Sequence, residues 1–432
     1  MHLRRSELYK ILTGNYGLHK ILTLFLLFTC LAGVNVAQAT QDSWPMFRHD
    51  PLHSGISASS APSTNQTLWV YLTGGPVGSS PTVADGILYI GSLDHNIYAL
   101  NVSTGNVEWE FLTGGEVYCS ATFSNGVVYI GSFDHNLYAL NALTGKQLWN
   151  FSTESGIISS PTVIDGALYF ASNDSLIYAL NPQTGELLWN FATGGVVQSS
   201  PAVSGGIIYI GSNDKNVYAL NATTGKIVWV YVTGNYVLSS PAVANGVVYV
   251  NSFDNSTYAL DAATGGLLWK RTIGHGYCMQ SSPAICNGLL YTGSYTWSPS
   301  DKVYALNATT GDIVWSFLTG GGVWSSPAVA NSTVFVGSGD QKLYALDALT
   351  GTLKWTYDTN GPVYSSPAVV DGTVFFGSYD GAVYAVGTIK PTVNTGNPTN
   401  NYYIIFVSVA AACTASIAVL FIIKRRTKAN TS

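Results

Sequence analysis

Short apolar segments recur along the chain with a period of about forty residues, and turn-forming residues separate them. Each segment is about five to seven residues long, is rich in Val, Ile, Tyr and Trp, and is bounded by Gly, Asn, Asp or Thr. This composition is typical of β-strands rather than helices. Because one period contains four such segments, it predicts a small four-stranded sheet.

The segment YALNVSTGNVEW, residues 98–109, is the clearest marker of the repeat. A YAL or YAV triplet begins each copy, at Tyr98, Tyr138, Tyr178, Tyr218, Tyr258, Tyr304, Tyr344 and Tyr384. All but the last triplet are followed by a Trp, at Trp109, Trp149, Trp189, Trp229, Trp269, Trp315 and Trp355. A single sheet of this size cannot bury both faces, so the copies predict sheets that stack as the blades of a β-propeller.

The eighth copy lacks its Trp segment, whereas an orphan segment of that type, QTLWVYLTG with Trp69, precedes the first copy. Eight Trp segments therefore match eight sets of the other three. We predict an all-β fold, an eight-bladed β-propeller of four-stranded antiparallel blades, in which the strand of Trp69 completes the last blade. Such closure removes two strand edges that would otherwise invite aggregation. We expect the eight Trp side chains to anchor one blade to the next.

Both ends of the chain carry membrane-targeting features. A basic region, an apolar run and the small-residue segment AQA predict a secretory signal peptide, with an uncleaved anchor as the alternative. Residues 402–423 are uncharged, are long enough to cross a bilayer and precede three basic residues. The sequence thus predicts a single-pass protein in the cell membrane, with the propeller outside and the C-terminus cytoplasmic. The predicted order is signal peptide 1–39, lead-in segment 40–65, propeller 66–387, linker 388–401, transmembrane helix 402–423 and cytoplasmic tail 424–432.

Charge limits the choice of partners. Only 9% of the 432 residues are charged. Between residues 40 and 401 there are 10 basic and 22 acidic residues, a formal net charge near −12. A polyanion would be repelled by this excess of acid, so nucleic acid is excluded as a partner.

The repeats resemble the tryptophan-docking motif of the pyrroloquinoline quinone (PQQ)-like repeat family, Ala-x-Asp-x-x-Thr-Gly followed by Trp four residues later. Ala99, Asn101, Thr104, Gly105 and Trp109 match this motif, with Asn in place of Asp. The resemblance implies a propeller in which each Trp wedges between adjacent blades. The family includes quinoprotein alcohol dehydrogenases and the outer-membrane protein assembly factor, which is a scaffold for partner proteins.

The resemblance does not by itself imply the quinone. Quinoprotein alcohol dehydrogenases of this fold carry long insertions, a pair of adjacent cysteines and a calcium site with a catalytic Asp. This sequence contains no Cys-Cys pair and few insertions, and it shows no Ser/His/Asp set, Gly-rich phosphate loop or HExxH motif. We therefore assign no catalytic, cofactor-binding or metal-binding residue and expect no cofactor, with PQQ and calcium as the alternative.

Departures from the repeat indicate where a ligand could bind. The sixth copy contains two insertions, in IGHGYCMQSSP and SYTWSPSDK, and insertions of this kind map to loops that often form the binding face. We predict His275, Tyr277 and Trp297 as ligand-facing residues, together with Trp324 of the next copy.

A further set of variable residues stands directly before each SSP-like triplet. This position varies as the rim of a channel would, through Gly78, Tyr118, Ile158, Gln198, Leu238, Gln280, Trp324 and Tyr364. Aromatic side chains at such positions could stack on a sugar or a peptide, or could merely plug the channel.

The segment SWPMFRHDPLHSG, residues 43–55, contains a polar cluster of Arg48, His49, Asp50 and His53. Short His/Asp clusters without defined ligand spacing are weak signals of a metal site, so we interpret this segment as a cap on the base of the propeller.

Two functional hypotheses follow from the sequence. The first is a membrane-anchored extracellular propeller that acts as a non-catalytic binding or scaffold module for a protein or glycan partner. The alternative is a PQQ- or metal-dependent oxidoreductase of the quinoprotein dehydrogenase type. The topology and the insertions favour the first hypothesis, whereas only the likeness of fold supports the second.

Overall fold

The computed structural model describes residues 42–273, 280–295 and 301–388. Within these ranges the secondary structure consists of thirty-three β-strands and their turns. The predicted signal peptide and transmembrane helix lie outside the described residues. No helix in the described part of the chain has the length and apolar character needed to span a membrane.

The strands form eight sheets, one for each sequence repeat, and each contains four antiparallel strands, with a fifth strand added to one of them, which confirms the eight-bladed propeller. The first two blades contain β3 (Thr82–Ala84), β4 (Ile87–Gly91), β5 (Asn96–Asn101), β6 (Val107–Leu112), β7 (Thr122–Ser124), β8 (Val127–Gly131), β9 (Asn136–Asn141) and β10 (Gln147–Ser152). The next two contain β11 (Thr162–Ile164), β12 (Ala167–Ala171), β13 (Leu176–Leu180), β14 (Leu187–Ala192), β15 (Ala202–Ser204), β16 (Ile207–Gly211), β17 (Asn216–Asn221) and β18 (Ile227–Val232).

The second half of the chain repeats the same plan. The fifth and sixth blades contain β19 (Ala242–Ala244), β20 (Val247–Ser252), β21 (Ser256–Asp261), β22 (Leu267–Thr272), β23 (Ala284–Cys286), β24 (Leu289–Gly293), β25 (Lys302–Asn307) and β26 (Ile313–Leu318). The seventh and eighth contain β27 (Ala328–Ala330), β28 (Thr333–Ser338), β29 (Lys342–Asp347), β30 (Leu353–Asp358), β31 (Ala368–Val370), β32 (Thr373–Gly377) and β33 (Ala382–Gly387), with β1 (Ile56–Ser57) and β2 (Gln66–Leu72) added from the N-terminal side.

Turn chemistry sets the first hairpin of each blade. Asp85 and Gly86 join β3 to β4 with φ angles of 50° and 78°, a two-residue turn that needs a left-handed backbone at both positions. The other repeats place Asn, Asp, Gly or Ser at these positions, all of which tolerate that backbone or occur in turns. The short innermost strand is therefore held tightly against the second strand of its own blade.

The ring is closed by a strand from the N-terminal side of the propeller. β2 pairs antiparallel with β33, with Trp69 opposite Ala385, and becomes the outermost strand of the eighth blade. This is the closure that the count of Trp segments predicts. The seventh blade contains an additional strand that the sequence did not predict, because β1 pairs in parallel with β27.

The Trp side chains of the outer strands contact the following blade. The indole Nε1 donates a hydrogen bond of 2.8 to 3.1 Å to a backbone carbonyl there, from Trp69 to Val102, Trp109 to Ala142, Trp149 to Pro182, Trp189 to Ala222, Trp229 to Ala262, Trp269 to Ala308 and Trp315 to Ala348. Each ring also covers the glycine of the next Thr-Gly turn. A β-carbon on Gly105, for example, would stand 2.7 Å from the ring of Trp69.

The eighth anchor residue, Trp355, has a different environment. The eighth repeat ends in YAVG, so its sequence contains no Thr-Gly turn to receive this indole. Trp355 is half-buried and packs against Phe335 of its own blade at 5.6 Å between ring centroids. The seam between the seventh and eighth blades is also bridged by the N-terminal segment, because the Asn65 side chain donates to the carbonyl of Thr356 at 2.8 Å.

Candidate functional site at the channel mouth

A recess of about 400 Å³ occupies the central channel, where the innermost strands of the blades meet. All eight positions that stand before the SSP-like triplets line it, and we call them the rim: Gly78, Tyr118, Ile158, Gln198, Leu238, Gln280, Trp324 and Tyr364. From each rim residue the chain runs down the channel along the first strand of its blade. The rim is therefore one end of the channel, and the far ends of these strands form its base.

A closed circle of hydrogen bonds lies one step below the rim. In every blade the second Ser of the triplet accepts the backbone N–H of the corresponding Ser in the preceding blade, at 2.9 to 3.1 Å. We call these residues the serine ring: Ser80, Ser120, Ser160, Ser200, Ser240, Ser282, Ser326 and Ser366. The hydroxyl oxygen of each of these serines accepts this bond with one lone pair, and its O–H group can still donate. The ring explains why Ser recurs at this position.

The lead-in segment seals the base. Its backbone follows the channel edge and satisfies groups on the innermost strands that would otherwise be buried without partners. Contacts with seven blades run from Trp44 to Val83, Pro45 to Phe123, Pro51 to Val203, Leu52 to Val243, Ser54 to Ile285, Gly55 to Val329 and Ser57 to Val369. Phe47 from this segment reaches the recess itself. The polar cluster of the lead-in thus belongs to a structural cap.

Two titratable side chains are fully buried in the cap. Arg48 donates to the carbonyls of Pro327 and Pro283, and burial lowers its pKa to about 9, so it remains charged at neutral pH. His53 donates from Nδ1 to the carbonyl of Pro241 at 3.1 Å. Burial, and next the charge of Arg48, lower the His53 pKa to about 4. The cap therefore contains a neutral imidazole at physiological pH.

The cap should weaken in acid. An unfolded chain protonates His53 near its ordinary pKa of 6.5, whereas the folded protein resists protonation until about pH 4. Stability is therefore complete above pH 6.5 and is lost as the pH falls from 6.5 towards 4. The loss between pH 7 and 4.5 should be about 2 kcal/mol. Chemical denaturation at both pH values would measure it.

The matched control is His53→Gln, which keeps a donor for Pro241 but does not titrate. Other acid-sensitive groups act equally in both proteins, so the difference between their pH dependences isolates His53. An identical loss of stability in the two proteins would show that the imidazole is already protonated in the folded state.

Aromatic side chains cover one half of the channel mouth. Trp324 lies 4.9 Å from Tyr295 and 4.5 Å from Tyr364 between ring centroids, and Tyr364 lies 4.9 Å from Tyr379. Beyond Gly78 the row continues through Tyr118, 5.3 Å from Phe133. We call this row the aromatic arc: Tyr295, Trp324, Tyr364, Tyr379, Tyr118 and Phe133. The remaining rim positions are aliphatic or amide side chains: Ile158, Gln198, Leu238 and Gln280.

The rim residue of the first blade is a glycine, Gly78, and its lack of a side chain leaves room for the aromatic arc. A β-carbon on Gly78 would stand 3.3 Å from the ring of Tyr118 and 3.4 Å from that of Tyr379, so these two tyrosines meet over the glycine. Burial raises the pKa of both phenols, which are therefore neutral hydrogen-bonding groups throughout the physiological range. The arc is thus continuous across the point where the ring closes.

Trp324 carries an unsatisfied donor. Its Nε1 is shielded from water and finds no acceptor among the described residues. A buried donor without a partner costs about 1–3 kcal/mol. The residue is otherwise half-buried, with one side against Tyr295 and the other against Tyr364.

The sequence-predicted ligand-facing residues divide into two groups. Trp324 lies in the recess. His275, Tyr277 and Trp297 lie outside the described residues. Sequence reasoning missed Tyr379 and Tyr295, which come from hairpins between the second and third strands of their blades. Aromatic residues directly after Gly-Ser in these hairpins, as in GSYDG, are the signal that could have found them.

The described recess does not fit PQQ. This quinone carries three carboxylates, and in the dehydrogenases that the repeats resemble it is paired with calcium, so its site needs charged side chains. Every described residue that lines the recess is uncharged. Nor do the described residues contain any cluster of three or more His, Cys, Asp or Glu side chains that could hold a metal ion. We therefore derive no step through the quinone.

Fold and repeat together define an eight-bladed propeller of PQQ-like repeats. A family model described as the β-propeller of beta-alanine-activating enzyme matches residues 166–430, and one described as outer membrane protein assembly factor BamB matches residues 56–120 and 113–199. Because the first match spans more than half of the sequence, the chain belongs to this β-propeller family. A search of curated proteins found no match.

Solved structures share the fold at low sequence identity. BamB from Moraxella catarrhalis is similar with a TM-score of 0.65 and 18% identity over 75% of this chain and 100% of its own. The quinohemoprotein alcohol dehydrogenase from Comamonas testosteroni gives 0.71 and 17% over 84% and 83%. The computationally designed protein Ika8 gives 0.67 and 18% over 75% and 100%. An outer membrane protein assembly factor, an alcohol dehydrogenase and a computational design thus share this fold, so the fold alone does not determine a function.

Proposed function

We propose that this protein is a non-catalytic binding module, anchored in the cell membrane, that presents the channel mouth to a protein or glycan partner outside the cell. The observation that carries the proposal is the recess itself, which is closed at the base by the lead-in segment and bordered by the aromatic arc at the rim. A blind, aromatic-lined recess is suited to holding a ligand. Binding in BamB-like scaffolds uses the same fold, which supports a module of this kind.

The exit of the chain agrees with this arrangement. β33 starts at the hairpin of Tyr379, which lines the recess, and runs towards the base. Its last residue, Gly387, accepts a hydrogen bond from Thr64, and Thr388 contacts Ser63. The last described residue, Thr388, therefore lies on the side of the propeller opposite to the recess.

Array binding tests the module. The full chain, in a detergent without a sugar headgroup, would be applied to glycan and peptide arrays beside Trp324→Ala and Tyr236→Ala. Tyr236 is an exposed aromatic residue near the aliphatic half of the rim, so it is the matched control. We expect binding that Trp324→Ala abolishes and Tyr236→Ala retains. If the native protein bound neither array, or bound equally after loss of Trp324, the recess would not be the site.

Topology and cofactor independence have separate tests. Protease treatment of intact cells should release the propeller, because the linker at 388–401 is proposed to lie outside, and full protection would reverse the topology. Titration of the full chain with PQQ and calcium should produce neither stoichiometric absorbance changes nor a raised melting temperature. Tight binding of both would instead favour the oxidoreductase.

A further inference from the structure

The described residues that line the recess are uncharged, and this restricts the chemistry of a ligand. The described lining contains hydroxyl, amide, aromatic and aliphatic side chains and no charged group. Glu116 interacts with the phenol of Tyr118, but it is not part of the lining. An ionic ligand would lose its hydration here without gaining a counter-charge, which is unfavourable. The ligand of this recess is therefore uncharged.

The two halves of the rim need a ligand with two kinds of surface. Trp324 and Tyr364 pack against each other with ring centroids 4.5 Å apart and planes tilted by 35°, and together they give this half of the recess an apolar border suited to C–H groups. Gln198, in the blade opposite that of Tyr364, and Gln280, in the blade next to that of Trp324, each offer donors and an acceptor. Below both, the serine ring offers hydroxyl donors. A pyranose sugar has this combination, with C–H groups on its faces and hydroxyl groups around its edge.

The serine ring also argues against a peptide. Peptides often bind propeller and sheet edges through main-chain hydrogen bonds to free backbone groups. Here the backbone N–H groups of the serine ring, from Ser80 to Ser366, already donate to the serine hydroxyls of the next blade. The lead-in segment occupies the backbone at the base. Side chains are therefore the groups left to recognise a ligand. Their separate donors and acceptors suit the hydroxyl groups of a sugar better than the regularly spaced amide groups of a peptide backbone.

Size restricts how much of a glycan can enter. The recess of about 400 Å³ is near the lower end of the range for small-molecule sites, which is about 300–1,000 Å³. The cap, with Phe47 at its inner surface, prevents a chain from passing through. A ligand must therefore enter end-on from the rim.

We propose that the recess binds the uncharged terminal sugar of a glycan, with the C–H groups of the sugar against the aromatic side chains of Trp324 and Tyr364. The inference rests on the proposed function and specifies its ligand class. The amide of Gln198 binds a hydroxyl on the far side of the sugar, the amide of Gln280 binds one beside Trp324, and the serine ring binds the hydroxyls that point down the channel. Acidic sugars are excluded by the absence of cationic partners among the described lining residues.

Calorimetric titration of the full chain with free neutral disaccharides, and with sialic acid as the acidic counterpart, tests the inference. We expect a saturable response to at least one neutral sugar and none to sialic acid. Trp324→Ala should weaken binding at least about tenfold, whereas Trp324→Phe, which keeps an aromatic face but loses the donor, should have a smaller effect. Tyr236→Ala should bind as the native protein does. Melting curves would confirm that each variant is folded.

The outcomes separate this inference from the proposed function. A response to sialic acid alone, or to neutral sugars independently of Trp324, would overturn the sugar site. If the sugars failed but the peptide array gave binding that depends on Trp324, the module would stand with a peptide ligand. If neither array nor titration depended on Trp324, both the inference and the proposed function would be wrong.

Discussion

A chain that begins at residue 73 should fail to form a stable closed ring. It lacks β2, so β33 becomes an exposed edge strand, and the Trp69 anchor between the eighth and first blades is lost. Unpaired edge strands promote association between molecules. We expect aggregation and loss of a cooperative melting transition, measured by size-exclusion chromatography and circular dichroism on chains that end at residue 388.

Two matched chains show which part of the N-terminal segment is responsible. A chain that begins at residue 42 keeps both the cap and β2 and should melt normally. One that begins at residue 63 keeps β2 but loses the cap, and it should remain a monomer with reduced stability. If the chain from residue 73 also remained a monomer of unchanged stability, β2 would be an accessory strand rather than the closing one.

Trp229→Ala should destabilise the propeller by about 3–5 kcal/mol, the usual cost of removing a large buried aromatic side chain. Trp229 is 7% exposed, covers Gly265 of the next blade and donates to the carbonyl of Ala262 at 2.9 Å. The substitution leaves a cavity at the seam and removes one of the two hydrogen bonds that the Ala262 carbonyl accepts, because the Tyr209 hydroxyl still donates to it at 3.0 Å. Chemical denaturation would measure the free energy of unfolding.

Trp355→Ala is the control for this effect, because the same residue type occupies the same strand position without a Thr-Gly turn to cover. Its cost should be less than half of that of Trp229→Ala. Equal costs would mean that the indole stabilises its own blade and that docking on the neighbouring turn adds nothing.

Much of the fold could be predicted from the sequence, because each blade repeats the same solution. The YAL and Trp positions define the strands, and the orphan Trp69 segment defines the closure. The rim was also predictable, since residues such as Trp324 vary where the neighbouring Ser residues recur. Repetition separates residues that build the scaffold from residues free to differ.

The aromatic arc could not be derived in the same way. Tyr379 reaches Tyr118 only because Gly78 stands between them and because the eighth blade adjoins the first, a contact between residues more than two hundred positions apart. The path of the cap is similarly invisible in the sequence. Residues such as Pro51 and Leu52 contact the blades through backbone groups, which the identities of their side chains do not indicate.

The position of β33 determines how the molecule would respond to mechanical load. A ligand held at the rim and a tether that leaves at Thr388 would pull on β33 along its own axis. This strand is not at an edge but lies between two strands, and it pairs with β2 from residue 382 to residue 387, with one bulge, and with β32 from residue 383 to residue 387. Tension is therefore carried in shear by two hydrogen-bond ladders at once, so no single bond bears the full force. The closing strand that completes the ring also reinforces the point from which the chain would be pulled.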